Sequence, residues 1–115
     1  MQQLTTTYNR GDVVFVWVTF SNQRGRKKRP AVILSDQPYH LSRADAIMMP
    51  LSRQAGPYYG DAPFVDWRSA GLNQATNIKA VIQTIDRSEI AQRMGSASPT
   101  DLANIEAIAR QILCL

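Results

Sequence analysis

Apolar positions along this chain follow two periods. Most of the sequence carries short runs of β-branched and aromatic residues broken by Gly, Pro and polar clusters, and the end carries a helical stripe. The run VVFVWVTF (13–20) predicts a first strand that is apolar on both faces. Such a strand is buried on both sides, or covered on one side by a second subunit. PAVILS (30–35) reads as a second strand with Pro30 at its start, where a missing N–H is tolerated. DAIMMPL (45–51), PFVDW (63–67) and NIKAVIQTID (77–86) predict three more. In the last, Ile78, Ala80, Ile82 and Thr84 alternate with Lys79, Val81, Gln83 and Ile85. Turn-rich connections, among them DQPYHLSRA and SRQAGPYYGDA, separate the runs.

Two helices are expected near the end. Asp86-x-x-Glu89 resembles a capping box and predicts a short helix ending near Gly95. Ser98 suits an N-cap, Pro99 the first helical position and Asp101 the first turn. Leu102, Ile105, Ile108, Ala109, Ile112 and Leu113 then form the apolar stripe of an amphipathic helix. Strands that come in succession, with helical material gathered at the end, argue for an antiparallel sheet or small barrel in a single domain over 1–115. There is no βαβ rhythm and no glycine-rich phosphate loop.

Charge sharpens this picture. The net charge of +4 is local: residues 24–29 hold 5 of the 13 Lys and Arg, and the other 8 face 9 Asp and Glu. A basic patch on a near-neutral body points to a polyanionic partner, although a solvated loop would have the same composition. The single cysteine, Cys114, excludes an intramolecular disulfide and a Cys/His zinc set. With no apolar leader and no membrane-length run, a cytoplasmic protein without membrane association is expected.

Few residues offer chemistry. Arg29, at the junction of the cationic run and the second strand, could grip a phosphate through its planar fork or make a local ion pair. Ser52, directly after the third strand, could bond a phosphate oxygen or serve as a turn residue, and Arg53 stands beside it. His40, the only histidine, is an acid–base candidate or an exposed loop side chain. Tyr58 and Tyr59, in an irregular loop, could stack on bases of a single strand, and Trp17 is assigned to the core or a subunit interface. Asp36, Asp45, Asp61 and Asp66 are scattered without the paired spacing of a metal-dependent nuclease, so neither metal nor cofactor is expected.

The order of these signals is similar to that of the MazF/PemK family of toxins. Gly11-Asp12-Val13-Val14 opens the first strand, KKRPAVILS the second, and DAIMMPLS ends on Ser52. GLNQATNIKAVIQTID, RSEIAQRMG and the terminal helix follow, so the likeness spans residues 10–113. It implies a small Src-homology-3-like barrel with a C-terminal helix, forming a homodimer. It also implies a metal-independent, sequence-preferring endoribonuclease (an mRNA interferase) acting on single-stranded RNA and leaving 2′,3′-cyclic phosphate and 5′-hydroxyl ends. A cognate antitoxin would block the RNA groove. By the same resemblance, Arg29 and Ser52 are the catalytic pair; charge and aromatic placement, not the resemblance, make Arg24, Arg26, Lys27, Lys28, Arg53, Tyr58 and Tyr59 RNA-binding candidates. Some members carry an Arg and an Asp after the glycine that precedes the fifth strand. Here Gln74 and Thr76 stand there, and these hydrogen-bond without titrating. The alternative is a barrel that binds nucleic acid or an acidic peptide without cutting it.

Overall fold

The computed structural model describes residues 7–19 and 25–115. The elements run β1 (Asp12–Thr19), β2 (Arg26–Ile33), α1 (Gln37–Ser42), β3 (Asp45–Ser52), β4 (Ala62–Phe64), β5 (Thr76–Ile78), β6 (Gln83–Asp86), a 3₁₀ turn (Arg87–Glu89), β7 (Ile90–Ser96) and α2 (Pro99–Leu113). Every ladder is antiparallel, in the order β4-β5-β3-β2-β1-β7, with β6 on the flank of β3 that also holds β5. The expected class, mainly β with a C-terminal helix, is the class that forms. The sheet does not close into a ring, because β4 and β7 each bond one neighbour. Among the described residues no helix is long and apolar enough to cross a membrane.

β1 is apolar on both faces because each face meets its own cluster. Val13 packs with Val32, Met49, Leu51 and Ile78 beneath Ile105 and Ile108 of α2. Val14 and Val16 pack on the opposite face with Ala31, Ile33, Ala46, Met48 and Ile90. No second subunit is needed to cover them: Val13 and Val14 are 0% exposed and Val16 is 2% exposed within one chain. Trp17 lies outside this core. It is half-buried, with the Arg26 guanidinium 4.9 Å and the Lys28 ammonium 5.5 Å from its ring centre.

Four expectations need correction. Residues 26–29 are strand and not loop, paired across β1 from Thr19↔Arg26 to Val16↔Arg29. Pro30 therefore lies inside β2, at a point where only β1 is bonded, because the ladder to β3 begins at Ala31. The capping signal at Asp86 supports one 3₁₀ turn, its carboxylate accepting from the Ser88 amide at 2.9 Å. The following residues extend as β7 because β1 has a free flank to fill, a tertiary demand that outweighs local propensity. The connection after β2 contains α1, capped by Asp36, whose carboxylate accepts from the Tyr39 amide at 3.2 Å.

The fourth correction concerns 77–86, which is two strands. Between the pairs Met48↔Gln83 and Leu51↔Ile78, β3 uses two residues and its partner uses four, 79–82. The extra pair is taken up by a tight turn in which the Val81 amide donates to the Lys79 carbonyl at 2.8 Å. Asp61 fastens this bulge from outside. Its Oδ1 accepts from the Ala80 amide at 2.8 Å, and its Oδ2 lies 2.7 Å from the Lys79 ammonium. Burial pushes the Asp61 carboxyl up, but the Lys79 bond, the Ala80 amide and the Lys79 charge outweigh it. The group is held below its ordinary value of 3.8.

α2 is fixed at its start. The Ser98 hydroxyl accepts from the Asp101 amide at 3.1 Å, as the sequence predicts. Asp101 itself is fully buried and accepts from the Val65 and Asp66 amides at 2.8 and 2.7 Å. One carboxylate thus ties the helix to the turn after β4, where the chain doubles back toward β5. At the end of that turn Gly71 packs against the Met94 backbone of β7, with no room for a Cβ.

Replacing Asp101 with Ala strands two part-buried amides and should cost about 2 kcal/mol, roughly a 10 °C fall in melting temperature; Asp101→Asn, which keeps one acceptor, should lose less. Thermal unfolding followed by circular dichroism checks both. A depressed carboxyl lends stability above its ordinary value and loses it as pH falls through the folded value. The melting temperature should therefore drop from about pH 4 downward, and Asp61→Asn should flatten that acid limb. Part of the limb should persist, because the Ser88 backbone and hydroxyl also hold the Asp86 carboxyl low.

Candidate functional site

Pro30 marks where the site opens. The β2–β3 ladder pairs Ile33 with Met48, Val32 with Met49 and Ala31 with Pro50, and there it stops. Pro30, which faces β3, has no N–H, so the next rung loses a donor, while Pro50 turns its carbonyl the other way, to the Lys79 amide at 3.0 Å. Continued by two residues, the same register sets Arg29 opposite Ser52. The line extends on both sides: Val16 pairs with Arg29, and Ser52 with Asn77. Strand alternation then places Arg29 and Ser52 on one face, that of Ala31 and Val16, opposite α2.

The parted strands bound a cavity of about 530 Å³. β2 gives it Lys28 and Arg29, the end of β3 and the following loop give Ser52, Arg53 and Gln54, and the loop before β5 gives Asn73 and Gln74. Thr76 of β5, Lys79, on the bulge, and Gln83 complete the polar lining, while Val16, Ala31, Leu51 and Leu72 are apolar. Among the described residues that line it, four are cationic (Lys28, Arg29, Arg53, Lys79) and none is acidic. Such a wall attracts polyanions.

Several of these groups are already oriented. The Ser52 hydroxyl accepts from the Gln54 amide at 3.1 Å, so its own proton remains to be donated. Arg53 donates from Nη1 to Gln74 Oε1 at 2.8 Å. The Thr76 hydroxyl donates to the Gln74 carbonyl at 2.8 Å, which sets the loop backbone. Lys79 is held by Asp61 and stands 5.3 Å from the centre of the Tyr58 ring.

The expected site residues are thus distributed unevenly. Arg29, Ser52, Lys28 and Arg53 line the cavity. Arg26 is engaged with Trp17 and ion-paired to Glu89, and Lys27 is exposed on β2; neither reaches the lining. Tyr58 and Tyr59 are 70% and 72% exposed, the first at the Lys79 side, the second accepting from Gln111 Nε2 at 2.6 Å. Arg24 lies outside the described residues. His40 is buried, not exposed. Its Nδ1–H donates to the Tyr8 carbonyl at 2.9 Å, and its Nε2 is 2.6 Å from the Ser35 hydroxyl. That pair closes the α1 corner away from the cavity.

Sequence reasoning passed over Lys79, Gln54, Asn73 and Gln83. Lys79 had a signal: it is the only cation in the run 77–86. The amides had none, since their place depends on the bulge and on the course of the loop.

Three comparisons bear on this arrangement. The sequence matches the family profile described as PemK-like, MazF-like toxin of type II toxin–antitoxin system over residues 9–113. No curated protein sequence matches it. Among solved structures it is similar to a mycobacterial endoribonuclease in complex with its cognate antitoxin, with a TM-score of 0.77 and 18% identity over 95% of this chain and 97% of that one. A MazE–MazF complex from Deinococcus radiodurans gives 0.75 and 19% over 94% and 97%. The Mycobacterium tuberculosis toxin MazF-mt6 gives 0.69 and 16% over 89% and 97%. At these identities the likeness is one of fold.

Proposed function

The chain belongs to the PemK-like, MazF-like toxins of type II toxin–antitoxin systems, and we propose that it is a sequence-preferring endoribonuclease that cuts single-stranded RNA at the Arg29–Ser52 cleft. The observation that carries this reading is the register: Arg29 and Ser52 face each other where the β2–β3 ladder ends, at a cavity lined by four cations and no acid among the described residues.

RNA brings its own nucleophile. The ribose 2′-oxygen forms a bond to the adjacent phosphorus, the bond from phosphorus to the 5′-oxygen breaks, and the 2′-proton is in effect transferred to the leaving oxygen. The products are a 2′,3′-cyclic phosphate and a 5′-hydroxyl. The protein has to align these atoms and stabilise the charge that gathers on the phosphoryl oxygens. Arg29 suits that charge, because its fork binds two oxygens at once and stays protonated. Ser52 suits the third contact, because the Gln54 amide already occupies its acceptor side and turns its proton outward. Lys28 and Lys79 flank the pair and would neutralise neighbouring phosphates. Arg26, Lys27, Tyr58 and Tyr59 lie beyond the cavity, where a longer strand would pass.

The remaining parts of the proposal rest on the family and on the relatives described above. A cognate antitoxin would occupy the same cationic cavity, so antitoxin and RNA would compete for it. The protein would act in the cytoplasm as a homodimer. β1 is not the argument for that dimer, since its core residues are already covered within one chain.

Purified protein incubated with a single-stranded RNA pool in EDTA should give discrete fragments with 5′-hydroxyl ends. Arg29→Ala should lower the single-turnover rate by about 1,000-fold, and Ser52→Ala by about 100-fold with RNA affinity nearly unchanged. An intact pool with the wild type would remove the nuclease reading and leave a binding module. Lys28→Ala should cut the salt slope of RNA binding by about 0.7, the share of one phosphate on a single strand.

A further inference from the structure

The cavity has a polar wall that phosphate chemistry does not use. The exposed side chains of Arg53 and Gln74 share a hydrogen bond that orients the Gln74 amide, while the Thr76 hydroxyl holds the Gln74 backbone. The Arg53 guanidinium can only donate, so the atom facing it at 2.8 Å must be the Gln74 oxygen. The orientation of this amide is therefore dictated by its partner and not open to a flip. Its nitrogen, with two N–H groups, points away from Arg53 and has no hydrogen-bond partner among the described residues. Both Arg53 and Gln74 line the cavity.

We propose that Gln74 is the residue that reads a base beside the scissile bond, selecting uracil or guanine through a hydrogen bond from its amide nitrogen to the base carbonyl, with Arg53 as its positioning residue. This rests on the ribonuclease reading of the same cleft. An amide that can only donate suits the keto edge of uracil (O4) or guanine (O6). At the same place cytosine and adenine carry an amino group, which would oppose one donor with another. Arg53 then acts through Gln74 and not on a phosphate, which leaves the phosphate contacts to Lys28, Arg29 and Lys79. A single neutral hydrogen bond of this kind gives roughly five- to tenfold discrimination, the scale of a sequence preference and not of an absolute code.

The test is Gln74→Glu. The carboxylate is the same size and still pairs with Arg53, but it presents an acceptor where the wild type presents a donor. Cut sites are mapped by sequencing 5′-hydroxyl ends from a randomised RNA pool. Wild type should show keto bases enriched roughly five- to tenfold at one position next to the cut, and Gln74→Glu should invert this toward cytosine and adenine while still cutting. Arg53→Met should blur the preference and raise KM more than it lowers kcat. An unchanged base profile in Gln74→Glu at undiminished rate overturns the proposal. A second arm separates this failure from failure of the nuclease reading: the pool is made with 2′-fluoro ribose, which cannot be cut, and the RNA retained on a filter is sequenced. Keto enrichment that inverts in Gln74→Glu supports base reading even if the wild type cuts nothing. Retained RNA without base preference overturns it whatever the cleavage result.

Discussion

The end of one ladder, at the missing amide hydrogen of Pro30, sets the plan of this molecule. A sheet built from strands as long as β2 and β3 would normally pair along their whole length and leave no opening. That pairing stops after Ala31↔Pro50, where Pro30 has no N–H to offer β3. The strands keep their register while losing their bonds. Side chains that would have been ordinary cross-strand neighbours instead face each other over open space. The cleft is therefore a feature of the backbone, and its two edges are as stiff as the ladders on their far sides, β1 against β2 and β5 against β3.

That stiffness has a source on each face of the sheet. One cluster lies beneath α2, and the other packs Val14, Val16, Ala31 and Ile33 on the face where the cleft opens. Arg29 follows directly from that second cluster, so its backbone is set by residues with no freedom to shift. On the other side of the cleft the bulge at 79–82 turns Lys79 into the lining, and Asp61 holds it there. The cations at the wall are thus of three kinds. Those of β2 project from a regular strand, Arg53 from the loop after β3, and Lys79 depends on an irregularity and on a counter-charge. Preorganised positive charge of this sort lowers the cost of gathering negative charge in a transition state, because nothing has to move when the charge appears.

Much of this was legible beforehand. Ser98-Pro99 with Asp101 marked the start of α2, because Ser98 accepts an orphan amide, Pro99 has none to satisfy and Asp101 sets a negative charge in the first turn. β1 and β3 were legible as dense apolar runs, and Arg29 and Ser52 as polar residues at the margins of strands. β7 was not, since Asp86-x-x-Glu89 is a sound local signal for a helical turn and does form one, while the strand beyond it answers to the free flank of β1. Nor was the break in 77–86, whose alternation is regular; a bulge is a mismatch between two strands and cannot be read from either alone. Asp101 was legible as a helix-start residue but not as a buried tie, because the amides it binds belong to a turn some 35 residues earlier. Distance along the chain hides such contacts even when each partner looks ordinary.

The cavity draws on stretches near residues 15–18, 28–31, 50–54, 72–76 and 79–83, and the cluster behind it is finished by Ile105 and Ile108. No short fragment contains the whole lining. A growing polypeptide would hold Arg29 and Ser52 long before it holds the helix that seals the sheet and the carboxylate that anchors the turn after β4. The complete lining thus needs the chain at least as far as Gln83, and the core behind it needs the terminal helix as well.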